Sequence, residues 1–349
     1  MATNAVHRRS FLQALLPCAV ASCRRPATPE AVLAAIVQDL MVSDVEALVA
    51  TSRRLEASTG DLARAPSEQN LSDVRARWRE ATMAWKRASC LRHGPLVETS
   101  ALLRALYWPP RKGATFGIAA AKLDLHGVDE LGVDQKGLFA IERLVFARAA
   151  GAPASASSPD GDRARQLTAA LASNVTRCAE NAARSLGDGT AYAATFAARG
   201  QESTSLLVNQ MVDIVEAASG HLARVAGSHT AQGRDVEGVL SRTELEIPLW
   251  LLSGTERVYL GGRRGGLGAL VKLGAPAIDE HVRAAFAKAL ATVRAIAEAP
   301  RTSRPDADPS DEEGLGRAAR AVKELEVTAK TDLASALGVT LTFAGPDAD

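Results

Sequence analysis

Glu142 is the carboxylate in this chain whose setting could do chemistry. It lies between Ala140-Ile141 and Leu144-Val145-Phe146, so burial of a helix here would carry it out of water. A buried carboxylate needs a partner or a cation, because an isolated buried charge is costly. Two fates are open to it. It could sit in a ligand or metal cleft, or it could pair with an arginine of a facing helix, Arg77 or Arg79. Just upstream, His126, Asp129 and Glu130 offer imidazole and carboxylates at helix-compatible spacing, an alternative metal-ligand set. Gly127 directly after the histidine favours a solvated polar loop instead. Ser241-Arg242-Thr243-Glu244 fits a capping box, so capping is the expected work of Ser241. His93, before Gly94-Pro95, is expected to end a helix as a cation suited to its dipole. His221, His229 and His281 have no evident partners and read as surface or core filler. The glycines from Gly261 to Gly268 lack the Lys-Ser/Thr ending of a phosphate loop and read as a flexible turn. No Ser-His-Asp or Cys-His set can be assembled.

The elements that must hold these residues are helical. Leu33, Ile36, Val37, Leu40, Val45, Leu48 and Leu55 recur at helical spacing between Pro29 and Gly60. A second helix is expected from Asn70 to His93, with Trp78 and Trp85 on one face as core anchors. Further helices are expected over Val97–Leu106, Gly137–Ala150 and Arg163–Leu186, and around Leu207–Val225, where apolar residues step by three and four. The last three are expected over Arg242–Leu260, Ala275–Glu298 and Asp311–Leu337. Gly151–Asp162 reads as a surface linker, Ala226–Gly238 as a loop and Arg301–Pro309 as a polar excursion. Val339–Phe343 is the one strand-like run. Strands do not alternate with helices, which excludes a doubly wound sheet. The fold class is all-α, long antiparallel helices with little or no sheet.

Composition narrows the partners. The 349 residues carry 41 Lys+Arg against 40 Asp+Glu, a net charge of +1. A general nucleic-acid binder would show a basic excess, so no nucleic-acid partner is expected. No apolar run reaches the roughly 18 residues of a membrane-spanning helix. The N-terminus looks like an address. Arg8-Arg9-Ser10-Phe11-Leu12 resembles a twin-arginine export signal, and Val20-Ala21-Ser22-Cys23 resembles a lipobox. Residues 1–23 are therefore expected to be a lipoprotein signal, with Cys23 lipidated and residues 24–30 as a tether. The implied location is the cell envelope, facing the periplasm from the outer membrane, with the lipid on Cys23 as the membrane contact. Cys90 and Cys178 remain in the mature chain. One disulfide or two separate buried thiols are both open.

Three stretches carry a resemblance. They are Ala76–Glu80 through Trp85-Lys86-Arg87 to Gly94-Pro95, then Lys136–Phe146, then Leu333–Phe343 with Asp347 and Asp349. Val236–Ser241 and Val258–Gly261 are two further landmarks. In this order they resemble the imelysin, or M75 peptidase-like, family. The resemblance implies a two-lobed helical domain over residues 31–349, with lobes at about 31–186 and 188–349. It also implies a cell-envelope setting, a link to iron uptake, and an envelope partner or small ligand. Its motif is Gly-x-His-x-x-Glu on a helix, where His and Glu three apart share a face and suit iron or another divalent metal. Here Gly137 and Glu142 match the ends, and Phe139 stands at the histidine position. Glu237 is implied to face the cleft between lobes. The resulting expectation is a binding protein with a degenerate metal site and no catalytic residue. A metal-dependent peptidase using Glu142 is the first alternative, and a scaffold that has lost its site is the second.

Overall fold

The computed structural model describes residues 28–108, 125–147, 154, 161–227, 236–299 and 309–342. The expected export segment with Cys23, most of the 151–160 linker, His229, the excursion at 301–308 and everything from Phe343 onward lie outside these.

The described residues are mostly helical, with no strand among them. α1 (Pro29–Ala35) opens with proline in its first turn, and the Thr28 side chain accepts from the Ala31 N–H. It runs without a break through a π-helical stretch, Ile36–Met41, into α2 (Val42–Arg64). α3 (Glu68–Ala88) is capped by Ser67, which accepts from the Asn70 N–H. There follow α4 (Pro95–Glu98), α5 (Ala101–Leu106), α6 (Gly137–Phe146), α7 (Gly161–Leu186), α8 (Thr190–Ala198) and α9 (Gln201–Gly227). The chain continues with α10 (Glu246–Leu260), α11 (Leu267–Gly274), α12 (Pro276–Ala297), α13 (Pro309–Thr328), a π-helical stretch Ala329–Leu333, and α14 (Ala334–Ala336).

Two packing groups share the core. α2 lies against α3 and α7, and α6 fills in against α7 and α3. α9, α10, α12 and α13 pack on one another, while α10 also crosses onto α3. Trp78 and Trp85 are buried, as their seven-residue spacing on α3 requires. The Trp85 indole N–H donates to Ser52 Oγ of α2 at 3.2 Å, which satisfies its one polar atom in the core.

Several expected elements differ. The helix expected over 97–106 is broken between α4 and α5, where Ser100 takes a left-handed conformation at φ +55°. α8 has no helical stripe to betray it; it is alanine-rich and buries Ala193, Phe196 and Ala197. α11 starts inside the glycine-rich run, so only the part before it is a turn, closed by a bridge between Gly262 and Gly265. The helix expected from Arg242 begins at Glu246, because Val236–Leu245 is folded into turns. The strand expected at Val339–Phe343 does not form over Val339–Thr342. No strand exists among the described residues to pair with it. The Asn209 side chain takes that place, accepting from the Thr342 N–H at 2.8 Å and lying 3.4 Å from the Thr340 carbonyl.

Candidate functional site

The site is built on α6, and α3 sets that helix in place from both ends. The Trp78 indole donates to the Leu138 carbonyl at 2.7 Å. Arg75 Nε donates at 2.8 Å to the Val145 carbonyl, one of the last-turn carbonyls a helix leaves unpaired. Gly137 opens α6 at φ +79°, and a Cβ there would stand 2.5 Å from the Arg104 carbonyl oxygen of α5. Only glycine combines that conformation with that close approach. α6 therefore buries its Glu142 face, leaving the residue 2 % exposed.

Glu142 is not paired with an arginine. Its Oε1 accepts from the Ser241 N–H at 3.0 Å and from the Ser241 hydroxyl at 2.6 Å. Ser241 is consequently not a helix cap; its hydroxyl is turned inward, and no side chain caps α10. Arg79, a proposed partner of Glu142, donates instead to the Ser241 carbonyl at 2.6 Å. Arg77 pairs with Glu80 and Asp73 on its own helix. The reason lies in the 236–245 turns, whose backbone reaches Glu142 before any guanidinium can. Gly238 at φ +87° makes that reach possible, and the Thr243 N–H closes back on its carbonyl at 2.8 Å. His221 of α9 steadies the same segment, its Nε2 lying 2.7 Å from the Glu244 carbonyl oxygen.

Glu237, on the same turns, forms a half-sealed ion pair with Lys86 of α3, Nζ to Oε1 at 2.7 Å. The two side chains are only 9 % and 16 % exposed. Burial pushes the Glu142 carboxyl up to about 7. The two Ser241 hydrogen bonds and Lys86 oppose the rise, while the Glu237 charge adds to it.

Phe139, Glu142 and Glu237 line one cavity together with Trp78 and Thr82. The cavity offers only about 10 Å³ to the centre of a water-sized sphere, room for about one water. Thr82 Oγ1 is buried without a hydrogen-bond partner, the kind of group such a water satisfies. The Phe139 ring meets Trp108 edge-on at 4.8 Å, and the Arg143 guanidinium stands 5.8 Å from its centre. These residues do not fit a resident metal. The Phe139 ring offers no donor atom, and an ammonium already neutralises the second carboxylate. Among the described residues, no three His, Cys, Asp or Glu side chains converge as a ligand set.

Next to this cavity lies an open cleft of about 1010 Å³ between α3–α5 and α9–α10. Leu106, Tyr107, Glu237 and Ile247 belong to both. Val97 and Leu103 are 53 % and 52 % exposed where they face it, and Lys86, Arg92 and Arg224 bring positive charge.

The other proposed residues fall elsewhere. The His126 side chain lies outside the described residues, while Asp129 is exposed and paired with Arg177 and Asn174 rather than near Glu142. His93 is no helix-end cation. Its burial pulls the imidazole down to about 3, its Nδ1 lies 2.7 Å from Tyr192 Oη, and its ring stacks on Phe196 at 4.5 Å. His221 is buried core and His281 is surface, beside Asp332. Cys90 and Cys178 are both free and buried. Sequence reasoning missed Lys86 and the inward role of Ser241. The signal for Lys86 was its place on the buried Trp78–Trp85 side of α3.

The imelysin family model matches residues 42–331 of the chain. No curated protein matches it. Among solved structures, an imelysin-like protein from Psychrobacter arcticum superposes with a TM-score of 0.69 at 15 % identity, over 90 % of this chain and 97 % of that one. A protein from Parabacteroides distasonis, named as an iron-regulated protein A precursor, superposes with a TM-score of 0.66 at 16 % identity over the same shares. At such identities the structural likeness carries the fold, and the family match carries the membership: the chain belongs to the imelysin family.

Proposed function

We propose that this chain is an exported imelysin-like lipoprotein that works by binding a ligand or envelope partner, not by hydrolysis. The observation that carries the reading is the Glu142 site. Catalysis by a bound metal needs an ordered ion with an open position for water. Here Phe139 replaces the imidazole, Ser241 holds the carboxylate, and Lys86 stands where the charge of an ion would be needed. The adjoining cleft has the size of a ligand site, with apolar walls and a few charged groups at its floor and rim.

The iron connection rests on the name of the Parabacteroides distasonis neighbour and is proposed here for this chain as the setting of its binding activity. The envelope location and the lipid on Cys23 rest on the N-terminal sequence. Fractionation of cells carrying Cys23→Ala tests the anchor: the variant should leave the membrane fraction, and unchanged fractionation contradicts lipidation. A peptidase assay on the purified chain tests the absence of hydrolysis. Activity that a chelator abolishes would overturn the binding reading in favour of a metal-dependent peptidase.

A further inference from the structure

A second groove of about 580 Å³ lies away from Glu142, between α2, α3 and α10. Four arginines line it, Arg54 from α2, Arg77 and Arg87 from α3, and Arg257 from α10, against two carboxylates, Asp44 and Glu80. Asp73, just outside the lining, also pairs with Arg77 at 3.6 Å, so the concavity carries a net excess of one positive charge. The carboxylates are shared rather than matched one to one. Arg257 Nη1 bonds Asp44 Oδ1 at 2.6 Å, and Arg77 and Arg54 both reach Glu80, at 2.9 and 3.4 Å. Arg87 is the one left over. Its Nε is buried without a hydrogen-bond partner. Burial and the neighbouring Arg257 charge both pull its guanidinium down from the usual range, opposed chiefly by the already engaged Asp44. Two guanidinium groups repelling each other across one carboxylate, with a buried donor unmet, is an arrangement that lacks an anion.

We infer that this groove binds a phosphoryl group. A tetrahedral oxyanion presents acceptor oxygens in several directions, so Arg87 and Arg257 can be met from different helices at once. Its negative charge offsets the positive excess in the groove. The rigid guanidinium fork is the side chain best suited to it. The groove is far larger than one oxyanion, so the phosphoryl group is carried on a larger body, a soluble phosphate ester or a phospholipid headgroup. The inference is independent of what the Glu142 cleft binds, since the two sites share no residue.

The test uses the full chain carrying Cys23→Ala, so that no lipid anchor contributes, at low ionic strength. Inorganic phosphate is titrated calorimetrically in one arm. Flotation with phosphatidylglycerol vesicles, against phosphatidylcholine vesicles, forms the other. At least one arm should show binding, and Arg87→Gln should weaken it by about tenfold or more. Arg54→Gln, at an exposed position that tolerates change, should weaken it as well. Saturable uptake of phosphate points to a soluble ester as the source. Binding to phosphatidylglycerol alone points to a headgroup. Failure of both arms, or binding that both arginine variants leave unchanged, overturns the inference.

Discussion

Replacing Glu142 with glutamine should stabilise the protein above neutral pH and cost it about 1 kcal/mol in strong acid. In the folded chain burial holds the carboxyl protonated up to about 7, against an ordinary value of 4.5. Between those two pH values the folded state holds a proton that the unfolded state has released, so this group's contribution to stability falls as pH rises from 4.5 to 7 and is flat beyond. The difference corresponds to ~3 kcal/mol, and it needs little discount for solvent because Glu142 is only 2 % exposed. Glu142→Gln keeps an acceptor for both Ser241 donors and removes the charge. Its new NH₂ group needs a partner, which offsets about 1 kcal/mol. The net expectation is a gain of about 2 kcal/mol at pH 8 that fades by pH 5.

The assay is urea unfolding of wild type and variant across that range, read as the difference between them. His93 and His221, held down to about 3 and about 4 in the folded state, give the opposite slope, with stability rising as pH climbs towards 6.5. They are present in both proteins and cancel in the difference. A difference curve that is flat between pH 5 and 8 would refute the claim that burial sets this carboxyl.

Three further outcomes follow from the same geometry. Phe139→His places an imidazole in the cavity shared by Glu142 and Glu237, yet Lys86 still holds Glu237, so zinc binding measured by calorimetry should stay weak; adding Lys86→Met should raise the affinity by more than about tenfold. If the single and double variants bind alike, Lys86 does not occupy the cation position. Gly137→Ala sets a Cβ against the Arg104 and Ala105 carbonyls at a positive φ and should cost about 3 kcal/mol in denaturant unfolding; a cost below about 0.5 kcal/mol would show that α6 can shift away from α5. Cys90 and Cys178 should both resist a thiol reagent until the protein is unfolded, Cys90 most of all, since burial pushes its thiol up to about 12; rapid labelling of either in the native state would contradict their burial.

The helices were legible wherever an apolar stripe had to be buried: α2, α3 and α9 follow from the spacing of their leucines, valines and tryptophans. α8 was not, because a run of alanines buries itself with no stripe. The strand-like tail differs because alternation records which residues can pair, while pairing needs a neighbouring strand, and the Asn209 side chain meets Thr340 and Thr342 instead. At the site, Glu142 was legible as a carboxylate among apolar neighbours, and Gly137 through the family motif. Its true partner was not. Ser241 lies 99 positions away in sequence and reaches Glu142 through a turn whose backbone needs Gly238 at positive φ and Arg242 at φ +61°. Capping-box spacing describes a local contact, and here a distant buried acid outcompeted it. The Lys86–Glu237 pair, 151 residues apart, is equally a product of how α10 and its leading turns cross α3.

Phe139 offers no donor beside Glu142, and Lys86 already neutralises Glu237, so the proposed reading leaves this site without a bound ion. Equilibrium dialysis of the purified wild-type chain against iron and zinc, with metal content read by mass spectrometry, tests it most directly. No stoichiometric metal should be held at micromolar concentration, and Glu142→Gln should behave the same. One tightly held ion per chain, lost in Glu142→Gln, would contradict it.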